Sequence, residues 1–322
     1  MDSPQPQLVI IGDIRADLVM GPIAAWPQIG TETLMDRSEL RGGGSAGNAA
    51  LAIRHLGLQA RLISAVGNDD FGRWLREQFH GLHTALQVCE VETTVSVGIM
   101  HSCGERTFFT TRGHLEHLSY AHVLEHLPPA SVPGSIVLLS GVFLLPSLRA
   151  RYPALLARIK ALGYEIALDT GWPGHQWDAA TRLEVEGWIA RCDHLLINEL
   201  EATSITETPD LEAAMQGLAG LLPPGASLVV KAGPRGALGI QQGVRLESAA
   251  QQATIFDTIG AGDSFNAGYL LARLRGASLR QAMDAGCESA AAILVRFPRR
   301  QIQAGELAAC VAKSIQQEGE IA

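Results

Sequence analysis

The chain has 322 residues, of which 47% are hydrophobic and 18% charged, and a formal net charge of -8. So much apolar sequence excludes an intrinsically disordered protein and leaves room for one large α/β domain or two of ordinary size. The acidic balance excludes electrostatic capture of nucleic acid, and the basic run Arg296 to Arg300 is too short to change that.

In chain order, Met1 to Gln7 is polar and proline-bearing, without the basic and apolar regions of a signal peptide. Leu8 to Ile11 reads as a buried strand ending at Gly12. Asp17 to Leu40 reads as irregular. Ala46 to Leu56 has helical spacing and stops at Gly57, a helix-ending glycine. Arg61 to Val66 reads as a strand and Phe71 to Phe79 as an amphipathic helix. Thr94 to Met100 and Thr107 to Thr111 are strand-like, with no helix between them. Further strands are expected at Ile136 to Leu139, Glu165 to Leu168, His194 to Ile197 and Leu228 to Lys231. Helices are expected at Leu148 to Leu162, Ala179 to Ala190, Leu211 to Leu221, Ala261 to Arg275, Leu279 to Val295 and Glu306 to Gln316. Alternating β and α segments predict a doubly wound, mostly parallel α/β sheet with helices on both faces. The segments 14–40 and 91–112 interrupt that alternation and are expected to form a small β lid inserted in a domain covering 1–322. Ile136 to Leu145, the most apolar stretch, is interrupted by Ser140 and Gly141 and far too short to span a membrane. Cys89, Cys103, Cys192, Cys287 and Cys310 are odd in number, widely spaced and without a CxxC, which fits a reducing, cytoplasmic setting.

Two glycine-rich stretches carry candidate chemistry. Gly42 to Gly47 matches GxGxxG, with Asp69 at about the spacing of a dinucleotide fingerprint. The polar run Asp36 to Arg41 before it does not read as the buried strand such a fingerprint needs, so an NAD-dependent oxidoreductase is set aside. A glycine turn opening a helix, or bared backbone approaching a polar ligand, remains. Asp257-Thr258-Ile259-Gly260-Ala261-Gly262-Asp263 opens a long apolar helix. Small residues at 260–262 leave backbone N–H groups open at a helix N-terminus, where charge on a transferred phosphoryl group can be held. Asp263 would stand beside that group as a general base, or serve only as a favourable first-turn carboxylate. No GxxxxGK[ST] occurs, which excludes a P-loop. Asn198 and Glu201, at i and i+3, suit a Mg²⁺ held largely through water and phosphates, or equally a capping box. Lys231, Gly233 and Gly236 mark a sharp turn after a strand: a backbone approach to a nucleotide, or a tight hairpin.

In order and spacing these motifs resemble the ribokinase-like, or PfkB, carbohydrate kinases over essentially the whole chain. The resemblance rests on Gly12-Asp13-Ile14-Arg15-Ala16-Asp17, Gly43-Gly44 with Asn48, Asn198-x-x-Glu201, Lys231-x-Gly233-x-x-Gly236 and Asp257 to Asp263. It implies ATP-dependent phosphorylation of a sugar hydroxyl, with Asp263 as base and Gly260, Ala261 and Gly262 as anion hole. Asp17, Gly43, Gly44 and Asn48 would hold the sugar. Asn198 and Glu201 would organise Mg²⁺-bound phosphates, and Lys231, Gly233 and Gly236 would line the nucleotide. The family also implies monovalent-cation (K⁺) activation near Asp257 as an option and a homodimer through the lid. Two departures touch recognition: Arg15 stands where Asn is frequent, and Glu288 where His or Asn often meets adenine. Arg112 resembles a lid arginine that some members direct at a sugar acid; with Thr110 and Thr111 beside it, a neutral ketose or pentose is favoured and a sugar acid is second. The competing readings are a nucleoside kinase of the same fold and a non-catalytic binding relative. Neither nucleic acid nor a membrane is expected as partner.

Overall fold

The computed structural model describes residues 5–174, 176–251 and 257–295. The expected helix Glu306 to Gln316, the run Arg296 to Arg300 and Cys310 lie outside them. The chain begins with β1 (Leu8–Gly12), β2 (Arg15–Ile23), β3 (Arg37–Gly43), α1 (Ser45–His55), β4 (Arg61–Gly67), α2 (Asp70–Gln78) and β5 (His83–Cys89). It continues through β6 (Val95–His101), β7 (Arg106–Thr110), α3 (Tyr120–His126), β8 (Ile136–Ser140), α4 (Pro146–Arg149), α5 (Tyr152–Ala161), β9 (Glu165–Asp169) and α6 (Ala179–Ile189). The remainder is β10 (His194–Asn198), α7 (Glu199–Thr206), α8 (Leu211–Leu221), β11 (Ser227–Lys231), β12 (Ala237–Gln241), β13 (Val244–Ser248), α9 (Ala261–Leu274) and α10 (Leu279–Leu294).

Among the described residues, nine strands form one sheet in the order β13-β12-β11-β10-β9-β8-β1-β4-β5. Pairing is parallel except at the β11–β12 and β12–β13 contacts, where two short turns reverse the chain. Side chains alternate across each strand, so the sheet divides the core in two. Val9, Ile11, Val137 and Leu139 pack with α3 to α8, whereas Leu8, Ile10, Ile136 and Leu138 pack with α1, α2, α9 and α10. The chain runs outward from β1 through β4 to β5, then returns to β8 and runs the other way. β1 and β8 therefore flank the reversal of strand order, and the crevice beyond their carboxyl ends is where such sheets bind ligands.

A second sheet, in the order β3-β2-β6-β7, stands apart from the first. The segment Asp17 to Leu40, irregular in pattern but expected to belong to a small β lid, contributes β2 and the start of β3. Its strands escape a reading by periodicity because β2 buries residues in an uneven pattern and β3 is polar at its outer end. β2 pairs antiparallel with β3, the next strand, and parallel with the distant β6. The single helix expected over Leu148 to Leu162 is two helices, α4 and α5. Pro153 stands at the start of α5, and a continuous helix would place its ring against the carbonyl of Arg149 and leave that carbonyl without a donor.

Candidate active site

β1 ends at Gly12, which packs so closely on Ser140 that a Cβ would lie 2.1 Å from that residue's carbonyl oxygen. This fixes Asp13 at the reversal of strand order. Asp13 Oδ1 accepts from the N–H groups of Ser45 at 3.0 Å and Ala46 at 3.4 Å. The open start of α1, prepared by the left-handed φ of 89° at Gly44, is thus filled by a carboxylate of the chain itself. The dinucleotide alternative fails on this geometry, although β3 does run directly into the turn. That strand pairs antiparallel with β2 in the separate second sheet, and the N–H groups that would meet a pyrophosphate already bind Asp13.

The start of α9 differs. Gly260 holds a left-handed φ of 74° and no side chain caps the helix. Ala261, Gly262 and Asp263 form its first turn; the Ala261 N–H donates to the Thr258 carbonyl at 3.3 Å, and no side chain closes the N–H groups that follow. Asp263 Oδ2 accepts from Asn48 Nδ2 at 2.9 Å, tying the first turn of α9 to α1. Loss of water around the Asp263 carboxyl, joined by the charge of Asp169, pushes its pKa up to about 7, against the pull of Asn48 and Lys231. A carboxyl at that value changes state near neutrality, where a general base works best.

Asp17 rises from β2 toward the same crevice. Arg15 joins it to Asp13: Nη1 donates to Asp13 Oδ2 at 2.8 Å and Nε to Asp17 Oδ1 at 3.0 Å. Burial works against the Arg15 guanidinium, but the Asp17 and Asp13 carboxylates outweigh it and raise its pKa. Burial pushes the Asp13 carboxyl up in turn, opposed by Arg15. Asp17 Oδ2 is buried without a hydrogen-bond partner. It lies against Gly43, where a Cβ would fall 1.9 Å from it, so glycine there makes room for the carboxylate. Asp17 thus lies against Gly43, Asp13 against the turn at Gly44 and the start of α1, and Asn48 on Asp263.

Beside them is a group that motif reading overlooked. Asp169 ends β9, and its Oδ2 accepts from Lys231 Nζ at 2.9 Å and Asn266 Nδ2 at 2.5 Å; Lys231 also reaches Asn266 Oδ1 at 3.3 Å. Burial disfavours the Lys231 ammonium, but Asp169 and Glu201 outweigh that and hold its pKa above the usual lysine value. A Cβ on Gly262 would lie 3.6 Å from Lys231 Nζ, so this cation stands against the first turn of α9. The available signal was positional: an acid at the carboxyl end of a buried strand.

Asn198 and Glu201 form a reciprocal capping box at the start of α7, with Glu201 N–H on Asn198 Oδ1 at 2.8 Å and Asn198 N–H on Glu201 Oε2 at 2.9 Å. Burial and the nearby charge of Asp169 push the Glu201 carboxyl upward, against Lys231. Gly233 and Gly236 lie in the turn between β11 and β12, where a Cβ on Gly236 would fall 2.0 Å from the Ser248 carbonyl oxygen. Glu288 lies on α10, its Oε2 buried without a hydrogen-bond partner. The Arg112 side chain is 86% exposed and bonds Glu116 at 3.3 Å.

Residues 6–297 match the model of the pfkB family of carbohydrate kinases. The chain belongs to that family. It is similar to a nucleoside kinase of Methanothermobacter thermautotrophicus, 26% identical over 86% of each chain. It is also similar to a fructokinase of Klebsiella pneumoniae, 28% identical over 71% of this chain and 75% of that one. The fold matches that of Arabidopsis thaliana ribokinase, solved with ribose and ATP, at a TM-score of 0.76 and 20% identity over 97% of this chain and 99% of that chain. This pfkB family protein is a carbohydrate kinase, with a mostly parallel central sheet and a second small sheet. No described helix is long and apolar enough to cross a membrane.

Proposed function

We propose that this kinase moves the γ-phosphoryl group of ATP onto a hydroxyl of a neutral ketose or pentose, with Asp263 as the general base. The observation that carries this reading is Asp263 in the uncapped first turn of α9, bonded to Asn48, with a carboxyl pKa of about 7. The N–H groups of Gly260, Ala261 and Gly262 receive the charge that develops on the transferred phosphoryl group, and the helix dipole adds to them. Asp263 accepts the proton of the attacking hydroxyl. Lys231, held against that turn, lies on the phosphate side.

Asp17, Gly43, Gly44 and Asn48 hold the acceptor. Arg15 is engaged by two carboxylates and Arg112 lies at the surface with Glu116, so neither offers an unneutralised charge to a sugar acid in the pocket. That favours the neutral substrate and keeps the sugar acid second. Similarity to a nucleoside kinase supports nucleosides as the other acceptor class to test. Gly233 and Gly236 border the nucleotide, and the unpartnered Glu288 oxygen suits an exocyclic amine of adenine. Mg²⁺ neutralises the phosphates when bound. Asn198 and Glu201 would hold it through water, which fits a donor set whose one carboxylate oxygen is engaged in the capping box and whose cation arrives on the nucleotide.

The buried free thiols of Cys89, Cys192 and Cys287 support a reducing, cytoplasmic setting. Exposed Trp26, Ile29, Leu34 and Phe109 on the second sheet and its connection support a homodimer through the lid; a monomer mass by ultracentrifugation would remove it. The deciding experiment is an ATP-consumption screen over ketoses, pentoses, sugar acids and nucleosides, each with Mg²⁺ and with EDTA. Turnover of neutral sugars that ceases in EDTA is expected. Turnover of nucleosides alone would overturn the sugar reading, and full turnover in EDTA would overturn the metal.

A further inference from the structure

The loop entering α9 carries a buried negative charge three residues before Gly260. Asp257 is only 4% exposed, and its Oδ1 accepts from the N–H of Ile259 at 2.8 Å, which bends the chain toward the helix start. Its Oδ2 accepts from Arg41 Nη1 at 2.9 Å. Arg41 is equally buried at 4% and comes from β3, in the other sheet; the same nitrogen lies 3.4 Å from Glu39 Oε2. A second strand of that sheet reaches the same loop, with Arg106 Nη1 on Thr258 Oγ1 at 3.2 Å. Arg41 also lines one cleft together with Asn48, Gly260 and Ser264, which places the guanidinium next to the open turn.

A carboxylate out of water beside an anion site works against that site unless a cation neutralises it. The pfkB resemblance implies that a monovalent cation bound near Asp257 could do so. Such an ion needs oxygen ligands free of a competing charge. At Asp257 the Oδ2 position is taken by a guanidinium, and a potassium ion on the same oxygen would lie against that like charge. The residues described here do not fit potassium at Asp257. They fit a cation that is part of the chain. We propose that Arg41 is the built-in cation of the anion-hole loop and makes this kinase independent of monovalent cations. Arg41 acts as a positioning residue: it holds Asp257, and Asp257 holds the backbone that opens α9. Because it sits on the strand that continues into Gly43 and Gly44, its charge comes into place together with the acceptor pocket.

The inference rests on the kinase reading for its rate measurements but not for its binding measurement. The first test compares melting temperature in potassium chloride and in tetramethylammonium chloride at equal ionic strength, with and without ATP. A specifically bound ion raises the melting temperature in its own salt. The same value in both salts is expected; a rise specific to potassium overturns the proposal, whether or not an acceptor has been found. With an acceptor in hand, kcat is expected to be equal in the two salts, and activation by potassium of about tenfold or more overturns it. Arg41→Met keeps the apolar stem and removes the charge. It is expected to lose turnover that potassium restores and tetramethylammonium does not. Full turnover of Arg41→Met without potassium overturns the proposal. If that variant does not fold, Arg41→Met with Asp257→Asn removes both buried charges, and its wild-type turnover would overturn the role equally.

Discussion

The starts of α1 and α9 are built alike and used differently. Each follows a glycine in the left-handed region, each opens with small residues, and each directs N–H groups into one crevice. At α1 those groups close on Asp13, and the helix start becomes part of the scaffold. At α9 no side chain closes them, and the acid of the first turn, Asp263, bonds Asn48 across the cleft instead. An open helix start is therefore a site only where the fold supplies no anion of its own, and which of two such starts stays open is decided by tertiary placement.

Breaking the α9 side should give the largest effect. Asp263→Asn should lower kcat by at least ~10²-fold, the usual scale for a positioned base, with the KM for ATP nearly unchanged. In the wild type, kcat/KM for the acceptor should rise with pH on an acid limb near 7, and that limb should vanish in the variant. The same shift sets stability. The folded value of about 7 lies above the ordinary 3.8, so the protonated carboxyl's contribution is complete below 3.8 and is lost as pH rises through about 7. Asp263→Asn should accordingly melt higher than wild type on the alkaline side of that limb and no higher in acid. A lower melting temperature throughout would mean that Asp263 is structural.

Asp17→Ala comes next. Loss of a charged acceptor of sugar hydroxyls costs roughly 1.5–3 kcal/mol, read as a raised KM for the sugar with the KM for ATP held. Equal weakening of both would assign Asp17 to the scaffold. Asp13→Ala sharpens the contrast from the other side. Removing a helix cap costs about 1–2 kcal/mol, so this variant should lose stability in denaturant melts, where Asp263→Asn does not. Arg112→Ala should do least. An exposed ion pair contributes roughly 0–1 kcal/mol, and kcat/KM should barely move; a large loss of activity would return Arg112 to the acceptor site.

Most of the central sheet was legible because its strands are short apolar runs between helices of clear spacing. Leu211 to Leu221 falls where α8 is observed, and Ile136 to Leu139 lies within β8. Legibility failed where partners are remote. A β lid was expected over 14–40, but the bounds of β2 and β3 were not, because β2 also takes its register from β6, about 80 residues on, and nothing in residues 17–40 alone displays that. The base and its glycines were visible because they sit in one short run. Asp169 was not, because Asp169, Lys231 and Asn266 come from three distant parts of the chain and meet only through strand ends and a helix. The two bland alternatives, a capping box at Asn198 and a hairpin turn after Lys231, are both realised as local structure. Local geometry of that kind does not compete with a role in binding, since a cap fixes the side chains that a ligand then meets.

The eight residues from Arg41 to Asn48 touch Asp257, Asp17, Asp13 and Asp263 in succession. One inserted residue there would turn Arg41 to the opposite face of its strand, or swing Asn48 by about 100° around α1. Length variation is thus barred from this stretch across the descendants of such a protein. The connection of residues 24–36 between β2 and β3 is largely exposed and bears on none of those four carboxylates. Changes of length there leave all four contacts, and with them the phosphoryl-transfer parts, untouched.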